Sequence, residues 1–157
     1  MGKLRPLTCL TLMMALLTFG FNTSTLAQSE SDQVKAVIQS LFEGMKTKNT
    51  DLIEAAFYAE APMQTVIAGE NGSTLGSNAV SDFLNRISST PADTQLDERI
   101  LDYQIKIDGD LAAAWTPYEF YVNDQFSHCG VNSFQLVKMT EGWKIVYIID
   151  TRRKEGC

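Results

Sequence analysis

From Ser29 onward the apolar positions Val34, Val37, Ile38, Leu41, Phe42 and Met45 recur at helical spacing, with Ser31 or Asp32 placed to cap the start. The pattern predicts an amphipathic helix of about four turns with one buried face. Asn49-Thr50-Asp51 breaks it and caps a shorter helix whose stripe is Leu52, Ile53, Ala56 and Phe57. Met63 to Ala68 predicts a short strand that runs into a turn at Gly69-Glu70-Asn71-Gly72, whose spacing suits a turn and not a phosphate cradle. Ser77 or Asn78 then caps a third helix, Ala79 to Ile87, with Val80, Phe83, Leu84 and Ile87 on one side, and a polar linker from Ser88 to Asp93 follows.

Beyond the linker the period changes to two. Ile100 to Ile107, Leu111 to Val122, Phe126 to Met139 and Trp143 to Thr151 are rich in β-branched and aromatic residues. They are separated by Asp108-Gly109-Asp110, Asn123-Asp124 and Thr140-Glu141-Gly142. Three antiparallel hairpins follow. Turn length fixes register, and register fixes which side chains share a face. A two-residue turn at Asn123-Asp124 sets Glu119 opposite His128, Trp115 opposite Asn132 and Ala113 opposite Phe134. A three-residue turn at Asp108-Gly109-Asp110 sets Ile105 opposite Ala113, Tyr103 opposite Trp115 and Arg99 opposite Glu119. The inward face expected on that basis carries Leu101, Tyr103, Ile105, Ile107, Leu111, Ala113, Trp115, Phe134 and Leu136. In the last strand Trp143, Ile145, Tyr147 and Ile149 are the more apolar set and are placed inward. A three-residue loop with Gly142 as a bulge turns Val146, Ile148 and Asp150 inward instead.

Composition sets the class. The 157 residues are 45% hydrophobic and 20% charged, enough for one domain with a core. Residues 1–27 stand apart: Lys3 and Arg5, an apolar run from Leu10 to Phe21, then Thr25-Leu26-Ala27. This is the layout of a secretory signal peptide cleaved after Ala27, and its apolar run is shorter than a spanning helix needs. The expected mature domain is 28–157, in the periplasm or secreted, with no membrane attachment after cleavage. Cleavage removes two of the 13 basic residues and none of the 19 acidic ones, so a net charge of −6 becomes −8. A nucleic-acid partner is excluded by the missing basic footprint. Cys129 and Cys157 remain, and in an oxidising compartment they are expected to form a disulfide, with two free thiols as the alternative.

Under this register the inward face ends in a polar row, Arg99, Glu119 and His128, with Asn132, Tyr103 and Trp115 one layer deeper and Tyr147 on the last strand. A mostly apolar cavity with a few convergent polar groups is the usual ligand site, here for a small apolar or aromatic molecule. A carboxylate raises the basicity of a neighbouring imidazole, so His128 and Glu119 are the catalytic candidates if there is a reaction. The same three charged residues also read as a rim network that holds strands in register. Tyr103, Trp115 and Phe134 read as core or as a stacking box. One histidine supports neither a Ser-His-Asp set nor a metal site, and no motif calls for a cofactor. The outer face suits solvent or a second copy of the chain, a homodimer through the outer sheet face.

Trp115 to Tyr121 (WTPYEFY), Phe126 to Leu136 (FSHCGVNSFQL), Gly142 to Val146 (GWKIV) and Asp150 to Arg153 (DTRR) together resemble the lumazine-binding branch of the nuclear transport factor 2-like (SnoaL-like) superfamily. Leu41 to Gly44 (LFEG), Asp51 and Ala56-Phe57 fit the same pattern upstream, so the resemblance covers nearly all of 28–157. It implies an α+β, cone-shaped fold in which three N-terminal helices pack on a strongly curved antiparallel sheet around a cavity. Members of the superfamily include isomerases, dehydratases and non-catalytic binders, so the resemblance implies no single activity. Tyr58 stands where related chains often have a histidine, which removes a second imidazole from any acid–base scheme.

Overall fold

A computed structural model describes Met1 and residues 28–157; the expected signal peptide lies outside the described residues apart from Met1. Three helices precede or interrupt a seven-stranded sheet, as the change of period predicts. Helix α1 spans Glu30–Thr47, and its N-cap is Ser29, two or three residues before the expected Ser31 or Asp32; the Ser29 hydroxyl accepts from the Asp32 amide. Lys48 ends α1 in the left-handed conformation. Its ammonium reaches the carbonyls of Pro91 and Ala92, tying the helix end to the linker. Helix α2, Thr50–Ala56, is capped by the Asn49 side chain. Gly44 permits the two helices to close on each other, because a Cβ there would stand 2.8 Å from Ile53 Cγ1.

Strand β1 (Pro62–Ile67) pairs antiparallel with β2 (Thr74–Ala79), which leads directly into α3 (Val80–Ser88). Strand β2 is a departure from the sequence reading. Its residues, TLGSNA, are small or polar apart from Leu75, and five of the six are exposed; a paired edge strand needs no apolar stripe to announce it. The expected strand over Ile100 to Ile107 is two strands, β3 (Leu96–Ile100) and β4 (Gln104–Asp108), both paired with β5 (Leu111–Val122). The meander continues through β6 (Gln125–Met139) and β7 (Gly142–Arg153), and β1 joins β7 in parallel. The order is β2-β1-β7-β6-β5-β3.

Two single-residue bulges set the faces of this sheet. The Asn123-Asp124 turn has two residues, both at positive φ, and pairs Val122 with Gln125 as expected. Tyr121 then pairs with Phe126 but Phe120 with His128, so Ser127 is an extra residue in β6. From that point every residue of β5 faces opposite to the sequence expectation. Ala112, Ala114, Thr116 and Tyr118 are buried under the helices, while Trp115 and Leu111 are 49% and 50% exposed on the outer face. The Gly109-Asp110 turn also has two residues, not three, and pairs Ile107 with Ala112 and Ile105 with Ala114. The two departures offset each other, so Ile105 packs against the core as predicted; Leu101 is exposed.

The second bulge is at Val146. Thr140-Glu141 is a two-residue loop, and Leu136 pairs with Ile145, but Gln135 pairs with Tyr147 and Phe134 with Ile148. Trp143 and Ile145 therefore face in, as expected, and beyond the bulge Ile148 and Asp150 face in where Tyr147 and Ile149 were expected. Each of the two alternatives weighed from sequence holds for half of the strand. The core joins Val34, Ile38 and Leu41 of α1 and Ile53 of α2 to Phe134, Leu136 and Ile145 of the sheet. Burial of each such side chain contributes roughly 1.5–3 kcal/mol.

Cys129, buried on the outer side opposite Glu119 and Arg153, is bonded to Cys157, closing a loop of 28 residues in sequence. In the chain-entropy description a loop of this length stabilises the fold by roughly 3–4 kcal/mol. Denaturant titration of the Cys157→Ser variant is expected to show a loss of that order with an altered m-value; an unchanged midpoint would show that the bond constrains nothing.

Candidate functional site

Between the inward face of β5–β7 and the helices lies a cavity of about 270 Å³. Its apolar walls are Phe42 of α1, Phe83 of α3, Met63 of β1, Phe120 of β5 and Ile148 of β7. Five polar side chains converge on the sheet wall: Glu98, Tyr118, His128, Asn132 and Asp150, with Arg152 beside them. The alternation of strands puts them there. Glu98 pairs with Phe120, Phe120 with His128, and Asn132 with Asp150, so all point to the helix side.

The Asn132 amide donates to Glu98 Oε1 at 2.7 Å. Burial pushes the Glu98 carboxyl up to about 7, and the Asp150 carboxylate adds to the rise against the Asn132 hydrogen bond and Arg152. It is thus a carboxyl that exchanges its proton near neutrality. Tyr118 donates to the Thr151 carbonyl at 3.0 Å and lies 3.4 Å from Asp150 Oδ2, which also accepts from Arg152 Nε at 2.7 Å. Burial and the two nearby carboxylates raise the Tyr118 hydroxyl, so it stays protonated and donating. The ring of Tyr118 crosses Gly130; a Cβ there would collide with the Thr151 carbonyl oxygen and press on the ring.

His128 packs edge-on to Tyr118 and tilted against Phe120, its Nδ1 3.1 Å from the Ser127 hydroxyl. Burial lowers its pKa, followed by the positive charge of Arg152, so the imidazole is neutral at neutral pH. Thr65 of β1 also lines the cavity and keeps a buried hydroxyl that has no hydrogen-bond partner.

Of the residues singled out from sequence, His128 and Asn132 line this cavity and the others do not. Arg99 does pair with Glu119, but on the other face, where Arg99 lies over the Tyr121 ring and binds Asp97 and Asp124. Glu119 sits opposite Cys129 and accepts from the Tyr121 hydroxyl at 2.8 Å, so it does not orient His128. Trp115 is on the outer face with Ser133 and Gln104. Tyr147 is turned outward by the Val146 bulge and donates to Gln64. Tyr103 borders a shallower groove between α1 and β3, under the Lys35 ammonium. Burial raises Asp97 at that groove, but Arg99 and Lys46 bind it and hold it net below the usual carboxylate range.

Glu98, Tyr118, Asp150 and Arg152 were missed. The signal for them was the even-numbered alternation Thr116-Tyr118-Phe120 together with the inward Asp150 of the alternative β7 register. Reading it required placing an extra residue at Ser127.

Comparison with known proteins agrees with this geometry. The family model described as "Putative lumazine-binding" matches residues 29–148. No curated protein matches the chain significantly. Among solved structures, the chain is similar to an NTF2-like protein of unknown function from Shewanella baltica, with 18% identity over 80% of this chain and 95% of that one and a TM-score of 0.59. A "putative dehydratase from the NTF2-like family" of Streptomyces avermitilis gives 15% identity over 79% and 96%, with a TM-score of 0.61. An NTF2-like protein with a cystatin-like fold from Novosphingobium aromaticivorans gives 11% over 82% and 84%, with a TM-score of 0.63. At these identities the structures share the fold alone. The match over most of the chain makes it a member of the family described as "Putative lumazine-binding", and its fold is that of the NTF2-like structures.

Proposed function

We propose that the chain is an exported binder of one small, mostly apolar molecule, held in the cavity between α1, α3 and the sheet. The supporting observation is a chamber of about 270 Å³, at the small end of ligand pockets, with its polar groups gathered on one wall. Export rests on the layout of residues 1–27 and agrees with the Cys129–Cys157 bond. Native mass spectrometry of the protein recovered from the compartment that receives it is expected to show one small-molecule adduct per chain. A bare mass in every charge state, from unheated and undialysed material, would remove the reading.

A second reading is an acid–base enzyme of the isomerase or dehydratase kind, and the placement of Glu98 favours it. A buried carboxyl near neutrality, with Tyr118 as a fixed donor, can take and return a proton. Incubating the recovered ligand with the protein separates the two: an unchanged compound supports the binder, and conversion lost in Glu98→Gln supports the enzyme.

The same carboxyl makes stability depend on pH. Folded Glu98 holds its proton up to about 7, against 4.5 for a free glutamate side chain, so the folded chain binds more protons than the unfolded one across that window. Stability is therefore greater in the acidic part and falls as pH rises from about 4.5 through 7. The Glu98→Gln variant is expected to lose this slope, a difference on the order of 3 kcal/mol between pH 4.5 and 8. Thermal melts across that range that fall in parallel for both proteins would contradict it.

The outer face carries Trp115 and Leu111 exposed beside Val137 and Ser133. We infer that a second copy covers it, since Leu111 and Trp115 lie exposed on one face of the same strand and contiguous apolar surface marks an association site. Light scattering is expected to give a dimer mass at micromolar concentration and a monomer for Trp115→Lys. A concentration-independent monomer of the unaltered chain would refute it.

A further inference from the structure

We propose that the ligand of the cavity is an organic anion, a carboxylic acid with an aromatic or apolar body, whose carboxylate is held by Arg86 while a hydroxyl or N–H at its far end meets Glu98. This deepens the cavity reading and rests on it. The argument starts from the charges that line the chamber. Asp150 and Arg152 neutralise each other through a 2.7 Å ion pair. Arg86 of α3 is the other arginine of the wall, and among the described residues no carboxylate lies within ion-pair distance of it. Its partners are neutral: Nη1 lies 3.4 Å from Asn78 Oδ1, a long contact, and the guanidinium stands over the Phe83 ring at 5.8 Å from its centroid. An arginine so placed keeps most of its donors free, and its planar fork can bind a carboxylate through two parallel hydrogen bonds.

The opposite polar group is an acceptor. Glu98 receives one hydrogen bond, from Asn132, and among the described residues it forms no ion pair. Arg86 and Glu98 line the same chamber and are not paired with each other, so one ligand can meet both. Phe42, Phe83 and Phe120 lie along the wall, which suits an apolar body between two polar ends. Thr65 offers a hydroxyl without a partner on the same lining. The rim position of Arg86 matters as well. Arg86 and Asn78 are exposed, whereas Asn132 and Asp150 are buried, so a carboxylate at Arg86 stays hydrated on one side and avoids the full desolvation that a buried charge incurs.

The test uses matched pairs of probes: 3-(4-hydroxyphenyl)propionate, 3-phenylpropionate and octanoate, each beside its primary amide, titrated by isothermal calorimetry into the full mature chain. The acids are expected to bind at least tenfold more tightly than their amides, and added salt to weaken only the acids. In Arg86→Met the preference is expected to fall below twofold with amide binding kept, and Arg86→Lys to restore part of it. Circular dichroism confirms that both variants are folded. Amides that bind as well as acids, or an acid preference that survives in Arg86→Met, would overturn the anion proposal and leave the cavity reading standing. Binding of neither series would overturn both.

Discussion

One inserted residue, Ser127, decides what the cavity of this protein is made of. A strand alternates its side chains with period two, so an extra residue in β6 exchanges the faces of everything paired beyond it. Without it, Glu119, Trp115 and Ala113 would face the helices; with it, Phe120, Tyr118, Thr116 and Ala114 do. The exchange puts small and aromatic residues where α1 and α3 leave space, and sends the one exposed tryptophan to the outside. The Val146 bulge in β7 makes the matching change on the next strand, turning Asp150 and Arg152 in to meet Tyr118. Site and scaffold are therefore set by the same two irregularities.

The polar wall is not what stability alone would select. A buried carboxyl whose proton affinity is raised by desolvation destabilises the folded chain once ionised, and a well-packed apolar residue at Glu98 would avoid that. Asn132 offsets part of the loss with a 2.7 Å hydrogen bond, and Arg152 with its charge. An arrangement that is neutral to unfavourable for folding, in a chamber with room for a guest, is understandable when the groups also serve that guest. The unpartnered hydroxyl of Thr65 points the same way, since buried hydroxyls are ordinarily satisfied within the fold.

The sequence was enough for the fold because the fold rests on long, strongly periodic signals. The helical spacing of Val34, Ile38, Leu41 and Met45 and the Asn123-Asp124 turn leave little choice of element or connection, and the resemblance to the superfamily carried the architecture. The site was legible only on β6, where His128 and Asn132 share parity with Phe134 and Leu136. On β5 the reading failed because WTPYEFY alternates large residues on both faces: Trp115 and Tyr121 on one, Tyr118 and Phe120 on the other. Hydrophobicity cannot choose between such faces, and a bulge leaves no compositional mark in Phe126-Ser127-His128.

The disulfide has a part in the site that its distance from the chamber conceals. Cys129 faces outward next to Gly130, which pairs with Arg152, and Tyr118 lies across Gly130 to reach the Thr151 carbonyl. Arg152 is near the last turn of β7, where strand ends fray unless they are tied down. Bonding Cys157 back to Cys129 folds the tail over the outer side of that ladder and holds Arg153 opposite Cys129. The inner side then keeps Arg152 on Asp150 and Asp150 beside Tyr118. A link on one face of the sheet thereby fixes the hydrogen-bonded wall on the other, through a single layer of backbone whose two sides cannot move independently.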